Sequence, residues 1–391
     1  MIDILFLALR YLLYHRVKTA VLVGSITIIA YVPSGLNVLL EESGRQLTAR
    51  AKDTPLVIGA KGSPLELVLN SLYFKADVPV TMRYGELQRV RANRLAEAIP
   101  LSVRFRTRHG PIVGTTLDYF TLRNLRLAEG RQMAMLGECV LGARAAGARP
   151  GDSILSTPEN VFDIAGVYPL KMQVAGVLQP TGSPDDEAVV VDIKTTWVIE
   201  GLGHGHEDLT KAGASAGVLR REGSTIVANA SVLQYNEITP ENVGSFHFHG
   251  QLEDFPITAV IALPHDEKSG TLLEGRYLAA EELVQILRPG RVIEDLLETV
   301  FTIRSYLVAA ILIVGISTLA TMLLVFVLSV QLRWREIETM SKIGGSPLRI
   351  LGVLATEILA VLLLGFVLAR CLTLLTTLLA GDAARLLVQL S

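Results

Sequence analysis

The chain has 391 residues, half of them apolar and only 19% charged, which excludes a disordered polypeptide and argues against an ordinary soluble enzyme. Lys and Arg number 36 against 38 Asp and Glu, a formal charge of −2, so there is no global basic field of the kind that holds nucleic acid. Two cysteines, Cys139 and Cys371, cannot build a disulfide framework, and they fall in segments too different in character to pair.

The leading segment, Ile2 to Tyr14, sets Leu5, Leu9, Leu12 and Leu13 at helical spacing around Arg10. Residues 1–18 therefore read as an amphipathic helix lying in a membrane interface. Residues 19–40 follow with 22 positions and no charge, about 33 Å as a helix, which matches the hydrocarbon thickness of a bilayer. The run is longer than the apolar part of a cleaved signal and no small-residue cleavage pattern ends it, so it reads as a first membrane span.

Residues 41–290 are the only part large enough to bury a core of their own. They open with a short strand, a Gly-Ala-Lys-Gly turn around Lys61 and a helix start at Ser63-Pro64. Lys61 lacks the spacing of a phosphate loop, and no Gly-x-x-x-x-Gly-Lys-Ser/Thr occurs anywhere, so the chain carries no ATPase of its own. Alternating runs at 101–108, 137–141, 172–178, 188–193, 233–235 and 257–263 predict strands, and with the intervening helices an α+β domain in two parts. A more polar insertion occupies about 201–250.

That insertion holds His204 and His206, followed by Glu207, and then His247 and His249 inside Phe-His-Phe-His-Gly. Alternate residues of a strand share a face, so each pair can present two imidazoles to a borderline cation such as zinc, with Glu207 as a further oxygen ligand. Gly201, Gly203 and Gly205 point instead to a flexible loop without a preformed cage. His15, His109 and His265 read as ordinary surface residues. No His-Glu-x-x-His helix is present.

From Arg291 to Phe301, apolar Val292, Ile293, Leu296, Leu297 and Val300 alternate with charges at helical spacing, and no Gly or Pro interrupts the chain between Gly290 and the apolar run beyond it. Residues 291–330 thus read as a stiff stalk continuous with a second span, uncharged from Tyr306 to Val330. A third span occupies 350–370, with Glu357 inside it, a costly position unless the carboxyl is paired or faces protein. The loop 331–349 between them is rich in Arg and Lys, as is the segment before the first span, which puts both on the cytoplasmic side and the large domain outside. Arg335 to Lys342 has helix-forming residues, Gly344-Gly345 ends it, and Ser346-Pro347 opens the next helix. Residues 371–391 are too short to cross again unless they continue the third helix or pack as a shortened fourth.

Several stretches carry a resemblance. Leu122 to Arg131 (LRNLRLAEGR), Gly137 to Ala146 (GECVLGARAA) and Lys171 to Trp197 (KMQVAGVLQPTGSPDDEAVVVDIKTTW) resemble the periplasmic signature of MacB/FtsX-like ABC transporter permeases. Arg335 to Ile350 (REIETMSKIGGSPLRI), with Glu357 after it, is similar to the family's cytoplasmic loop and the glutamate that follows. The resemblance implies an α-helical transmembrane bundle with a large α+β extracytoplasmic domain, in the bacterial inner membrane. It implies a homodimeric permease beside separate ATPase subunits that hold ATP and Mg, and a periplasmic adaptor or binding protein as a further partner. The loop element would dock into the ATPase, with Arg335, Glu336, Glu338, Lys342, Gly344 and Gly345 as coupling residues. Asp185, Asp186 and Glu187 would occupy a turn between two strands and face water. The family has four spans where this chain shows three. Two functions follow from this architecture: transport by mechanotransmission, or FtsX-like regulation of a cell-envelope enzyme without transport; zinc enters as a cofactor or cargo only through the histidines.

Overall fold

The computed structural model describes residues 2–75, 77–145, 147–157, 169–205, 218–222, 225–228, 236–278, 282–332, 334–342 and 346–390. The chain divides into two compact units: Met1–Leu47 together with Asp295–Ser391, and Thr48–Glu294.

The first unit is helical. A short helix, Ile2–Tyr14, is followed by a long one, Arg16–Lys52, which carries Pro33 in its interior. Two helices of 44 residues, Pro289–Leu332 and Pro347–Leu390, flank a nine-residue helix, Trp334–Lys342. Among the described residues, three helices are long and apolar enough to cross a membrane: Arg16–Lys52, Pro289–Leu332 and, over Leu348–Leu379, the last. Leu22, Val23 and Ile26 pack with Met322 and Val361 to form a small core. Gly365 sits against Ile26, and the carbonyl of Gly365 accepts from Thr27 Oγ1 at 3.3 Å. Ser34 and Tyr31 bond to Thr373 and Thr376 of the last helix at 2.9 and 2.8 Å. Small residues and side-chain hydroxyls between helices are the packing expected where no water competes. Much of the remaining apolar surface, Ile313, Leu323, Leu324, Leu363 and Phe366 among it, stays exposed, as lipid or another protein surface requires.

The last helix runs without a break through residues 371–390, so this stretch continues the third span and forms no separate fourth helix. Gly381 and Asp382 are accommodated within it, because one Gly and one Asp cost only about 1 kcal/mol each in a helix otherwise made of Leu, Ala and Thr. The first helix likewise continues past the last apolar residue of the span, Leu40, to Lys52, and the second compact unit begins only at Thr48. Charge marks where an apolar run ends; it does not end a helix.

The second unit is α+β, and two of the sheets among its described residues carry the core. An antiparallel sheet has the order Val284–Leu287, Leu56–Ala60, Ala259–Pro264, Ala96–Leu101. Its buried face packs Ile58, Val260, Ala262 and Val284 with Leu87, Val90, Leu273 and Trp197 from the helices. The mixed sheet has the order Arg106–Thr107, Gly110–Thr115, Val189–Asp192, Glu138–Leu141, Lys171–Leu178, Leu127–Gly130, with Ser153–Leu155 paired to Lys171–Leu178. Lys171–Leu178 alternates half-buried and buried residues along its whole length, the period-2 pattern of a strand with one covered face. Val189, Val190 and Val191 are all buried, so this central strand is covered on both faces as well as paired on both edges. Cys139 is interior to the same sheet, and burial pushes its thiol up to about 12; Cys371 is exposed on the last helix.

Ser63 caps the helix Pro64–Tyr73, accepting from the amide of Glu66, as its position before a proline predicts. The strand expected at 101–108 is instead split. Ala96–Leu101 ends where the expectation begins, and Arg106–Thr107 starts a separate hairpin. The strand expected at 233–235 lies outside the described residues.

Candidate functional site

In the insertion, Gly203–Gly205 pairs antiparallel with Phe246–Phe248, with Gly203 opposite Phe248, His204 opposite His247 and Gly205 opposite Phe246. A side chain on Gly203 would meet the Phe248 ring at 2.5 Å, and one on Gly205 would meet Phe246 at 2.7 Å. The glycines therefore leave room for two aromatic rings to lie across the neighbouring strand. Phe248 continues inward to Trp197 and Phe255, with ring centroids 6.3 and 6.0 Å away. The expectation of a flexible glycine loop is corrected: Gly203 and Gly205 are partners of core aromatics.

Holding Phe246 and Phe248 inward turns the alternate residues outward. His247 and His249 then share a face with His204 across the ladder. The three ring centroids lie 4.8 to 5.0 Å apart, and the ligand nitrogens all fall within 4.8 Å of one another. Nε2 of His249 is 3.3 Å from Nε2 of His204, and Nδ1 of His247 is 3.1 Å from the carbonyl of Ser245. His204 is half-buried and the other two are exposed. The grouping crosses the two pairs rather than keeping each pair to itself. His206 and Glu207 lie outside the described residues.

A second constellation was invisible in the sequence. Asp185 and Asp186, expected in water, are 1% and 2% exposed. They belong to a short 3-10 turn, Pro184–Glu187, whose preceding Ser183 accepts from the amide of Asp185. Arg50 donates from Nη1 to Asp185 Oδ2 at 2.5 Å and from Nη2 to Oδ1 at 3.0 Å, and Tyr119 donates its hydroxyl to Oδ1 at 2.7 Å. Burial raises the Asp185 carboxyl, but the Arg50 charge and these bonds outweigh it and hold the group below the usual carboxylate range. Asp186 accepts from the Thr181 amide, the Thr181 hydroxyl and the Gly182 amide, which closes the turn. Glu187 remains partly exposed near Arg144. The carboxylates are structural clasps, and the misreading has a simple cause: Arg50 is 135 residues away in the chain.

In the helical unit, Trp334–Lys342 exposes Arg335, and Glu338 pairs with Lys342 at 2.9 Å one turn on. Val330, Trp334, Ile337, Ile350, Leu351 and Leu354 line an apolar recess of about 400 Å³ beside it, with Glu338 at its margin. The Glu336 side chain, Gly344 and Gly345 lie outside the described residues. Glu357 is buried in the last helix, 4% exposed.

The MacB-like periplasmic core domain family matches residues 23–230, more than half of the chain. The chain belongs to the MacB/FtsX-like ABC transporter family. Among solved structures, the chain is similar to the periplasmic region of MacB from Actinobacillus actinomycetemcomitans, at 11% identity over 62% of this chain and 92% of that one, with a TM-score of 0.33. It is also similar to the extracellular domain of the noncanonic ABC-type transporter YknZ from Gram-positive bacteria, at 11% identity over 59% and 98%, with a TM-score of 0.30. No curated protein matches the chain. A MacB/FtsX-like membrane protein with an extracytoplasmic domain accounts for the three long apolar helices and the α+β unit together. Membership also implies an ABC transport system that includes an ATPase partner.

Proposed function

We propose that this chain is the permease subunit of an inner-membrane ABC system and that it acts by mechanotransmission. Two copies would stand beside a pair of ATPase subunits, and nucleotide-driven movement of those subunits would be carried to the extracytoplasmic domain. Substrate would be handled on the outer side of the membrane and not threaded through these few helices. The observation that carries this reading is the helix Pro289–Leu332, which is continuous over 44 residues. It begins two residues after the last strand of the α+β unit and contains no glycine from Arg291 until Gly315. Its uncharged part starts at Tyr306, so roughly 25 Å of helix lies on the domain side of the apolar run. A helix without Gly or Pro is a stiff connector, since each turn is held by its own backbone bonds.

At the other end of that span, the short helix Trp334–Lys342 supports the docking role, with charged residues above an apolar recess. Reversing the charges, Arg335→Glu with Glu338→Arg, keeps net charge and helix propensity but inverts the pattern offered to a partner. Like-charge contacts across an interface cost several kcal/mol, so co-purification of the ATPase in mild detergent should fall about tenfold or more. Unchanged recovery of the ATPase with the double variant would remove the docking role.

A further inference from the structure

We propose that His204, His247 and His249 form a zinc site on the extracytoplasmic unit, exchangeable with solution. This goes beyond the transport reading and does not depend on it.

Two nitrogens bound to one tetrahedral zinc at about 2.0–2.1 Å lie about 3.3–3.4 Å apart. His204 Nε2 and His249 Nε2 are separated by 3.3 Å, the edge such an ion requires, and the third imidazole closes a group in which no ligand atom is more than 4.8 Å from another. Completing three ligands around one point requires the widest of these separations to close. His247 has its other nitrogen placed against the Ser245 carbonyl at 3.1 Å. That contact favours a proton on Nδ1 and leaves Nε2 as the ligand atom, the outer-shell arrangement that zinc-binding histidines commonly have.

The ligands sit on paired strands whose intervening residues, Phe246 and Phe248, are partly buried against the two cores of the domain. With Gly203 and Gly205 opposite them, the ladder can close without displacing either ring. The histidines are therefore held at their spacing by packing that needs no metal, which distinguishes the site from structural zinc sites that fold only when loaded.

Chemistry sets the class of ion. Three neutral imidazoles suit borderline divalent ions, zinc and the neighbouring transition metals, and give little affinity for magnesium or calcium, which take oxygen ligands. Among the described residues three donors gather, and a further donor, from the protein or from solution, brings zinc to its usual four. His247 and His249 are exposed, so the ion is reached from solution.

The test uses the full-length protein in detergent, stripped with chelator and titrated with zinc chloride in competition with a chromophoric zinc chelator. One equivalent per chain is expected. Loss of an outer-shell partner alone weakens metal sites about 10–100-fold, so His204→Ala, His247→Ala and His249→Ala should each weaken binding by at least that much. His265→Ala, an exposed histidine elsewhere on the same unit, should leave it unchanged. Cobalt substituted for zinc should give the visible bands of a four-coordinate ion in the parent protein and lose them in each cluster variant. Thermal unfolding in metal-free buffer separates damage to the fold from loss of a ligand, and zinc should raise the midpoint of the parent protein but not of the variants. Absence of stoichiometric zinc binding by the parent would overturn the proposal, as would parent-like affinity in any properly folded cluster variant.

Discussion

Replacing Arg50 by alanine is expected to destabilise the extracytoplasmic unit by about 3–5 kcal/mol, the cost typical of removing one partner from a buried ion pair. Both side chains are almost fully enclosed, Arg50 at 7% exposure and Asp185 at 1%. The guanidinium grips both carboxylate oxygens, reaches the Tyr119 hydroxyl at 2.9 Å, donates from Nε to the carbonyl of Leu72 and lies over the Phe74 ring. Deleting it leaves a carboxylate in the interior with Tyr119 and Ser183 as its remaining side-chain hydrogen-bond donors among the described residues. An exposed pair would contribute no more than about 1 kcal/mol, so the two possibilities are well separated. Urea unfolding followed by fluorescence of Trp197, buried in this unit, measures the change; the other tryptophan, Trp334, lies in the helical unit. A loss below 1 kcal/mol would show the pair to be energetically idle.

The pH dependence gives a second handle on the same clasp. The folded-state pKa of Asp185 is depressed, so its contribution is fully present above the unfolded carboxylate value near 3.9 and is lost as pH falls through the folded value. In Arg50→Ala the same carboxyl keeps its burial without the guanidinium, and its pKa rises. The variant is then penalised most near neutral pH and recovers part of the difference as acid protonates Asp185. Asp185→Asn in the Arg50→Ala background should likewise cost less than the sum of the single changes, because the buried charge is already unpaired.

What could be read in advance divides along the range of the interactions. The spans were legible because an apolar run is a local property, and so was Lys171–Leu178, whose alternation repeats every two residues. Ser63 and Pro64 marked a helix start for the same reason, since a cap acts within three residues. Helix ends at Lys52 and Leu390 were not legible, because the charges beyond an apolar run are compatible with either a turn or more helix. Arg50 and Asp185 each look like surface residues in their own neighbourhoods, and only the fold brings them together. The histidines fall between these cases. Their types and spacing suggested a set of metal ligands, but which three converge is decided by a strand register between segments more than 40 residues apart, and the two glycines acquire meaning only when Phe246 and Phe248 are set opposite them. The aromatic core places the rings, the rings require the glycines, and the imidazoles face outward as a consequence.

Glu298→Pro should uncouple ATP hydrolysis from movement of the extracytoplasmic domain while leaving hydrolysis itself in place. Glu298 is exposed on the stalk part of Pro289–Leu332, so its replacement removes no core packing and acts through the backbone. Proline at this position abolishes the amide bond to Glu294 and forces its ring against that carbonyl, a local cost of about 3 kcal/mol that the helix relieves by bending or opening. If the stalk works as a stiff connector, a hinge there absorbs displacement that would otherwise reach the domain. The measurement is made on the complex with its ATPase, with a spin label at the exposed position of Leu155 in each permease copy. In the parent protein the distance between labels should change on addition of ATP and vanadate. In Glu298→Pro the distance should stay at its resting value although ATP turnover persists, and Glu298→Ala, which preserves the helix, should behave as the parent does. A nucleotide-dependent change that survives the proline would mean that movement reaches the domain by another route, the first long helix Arg16–Lys52 being the other covalent connection between the units.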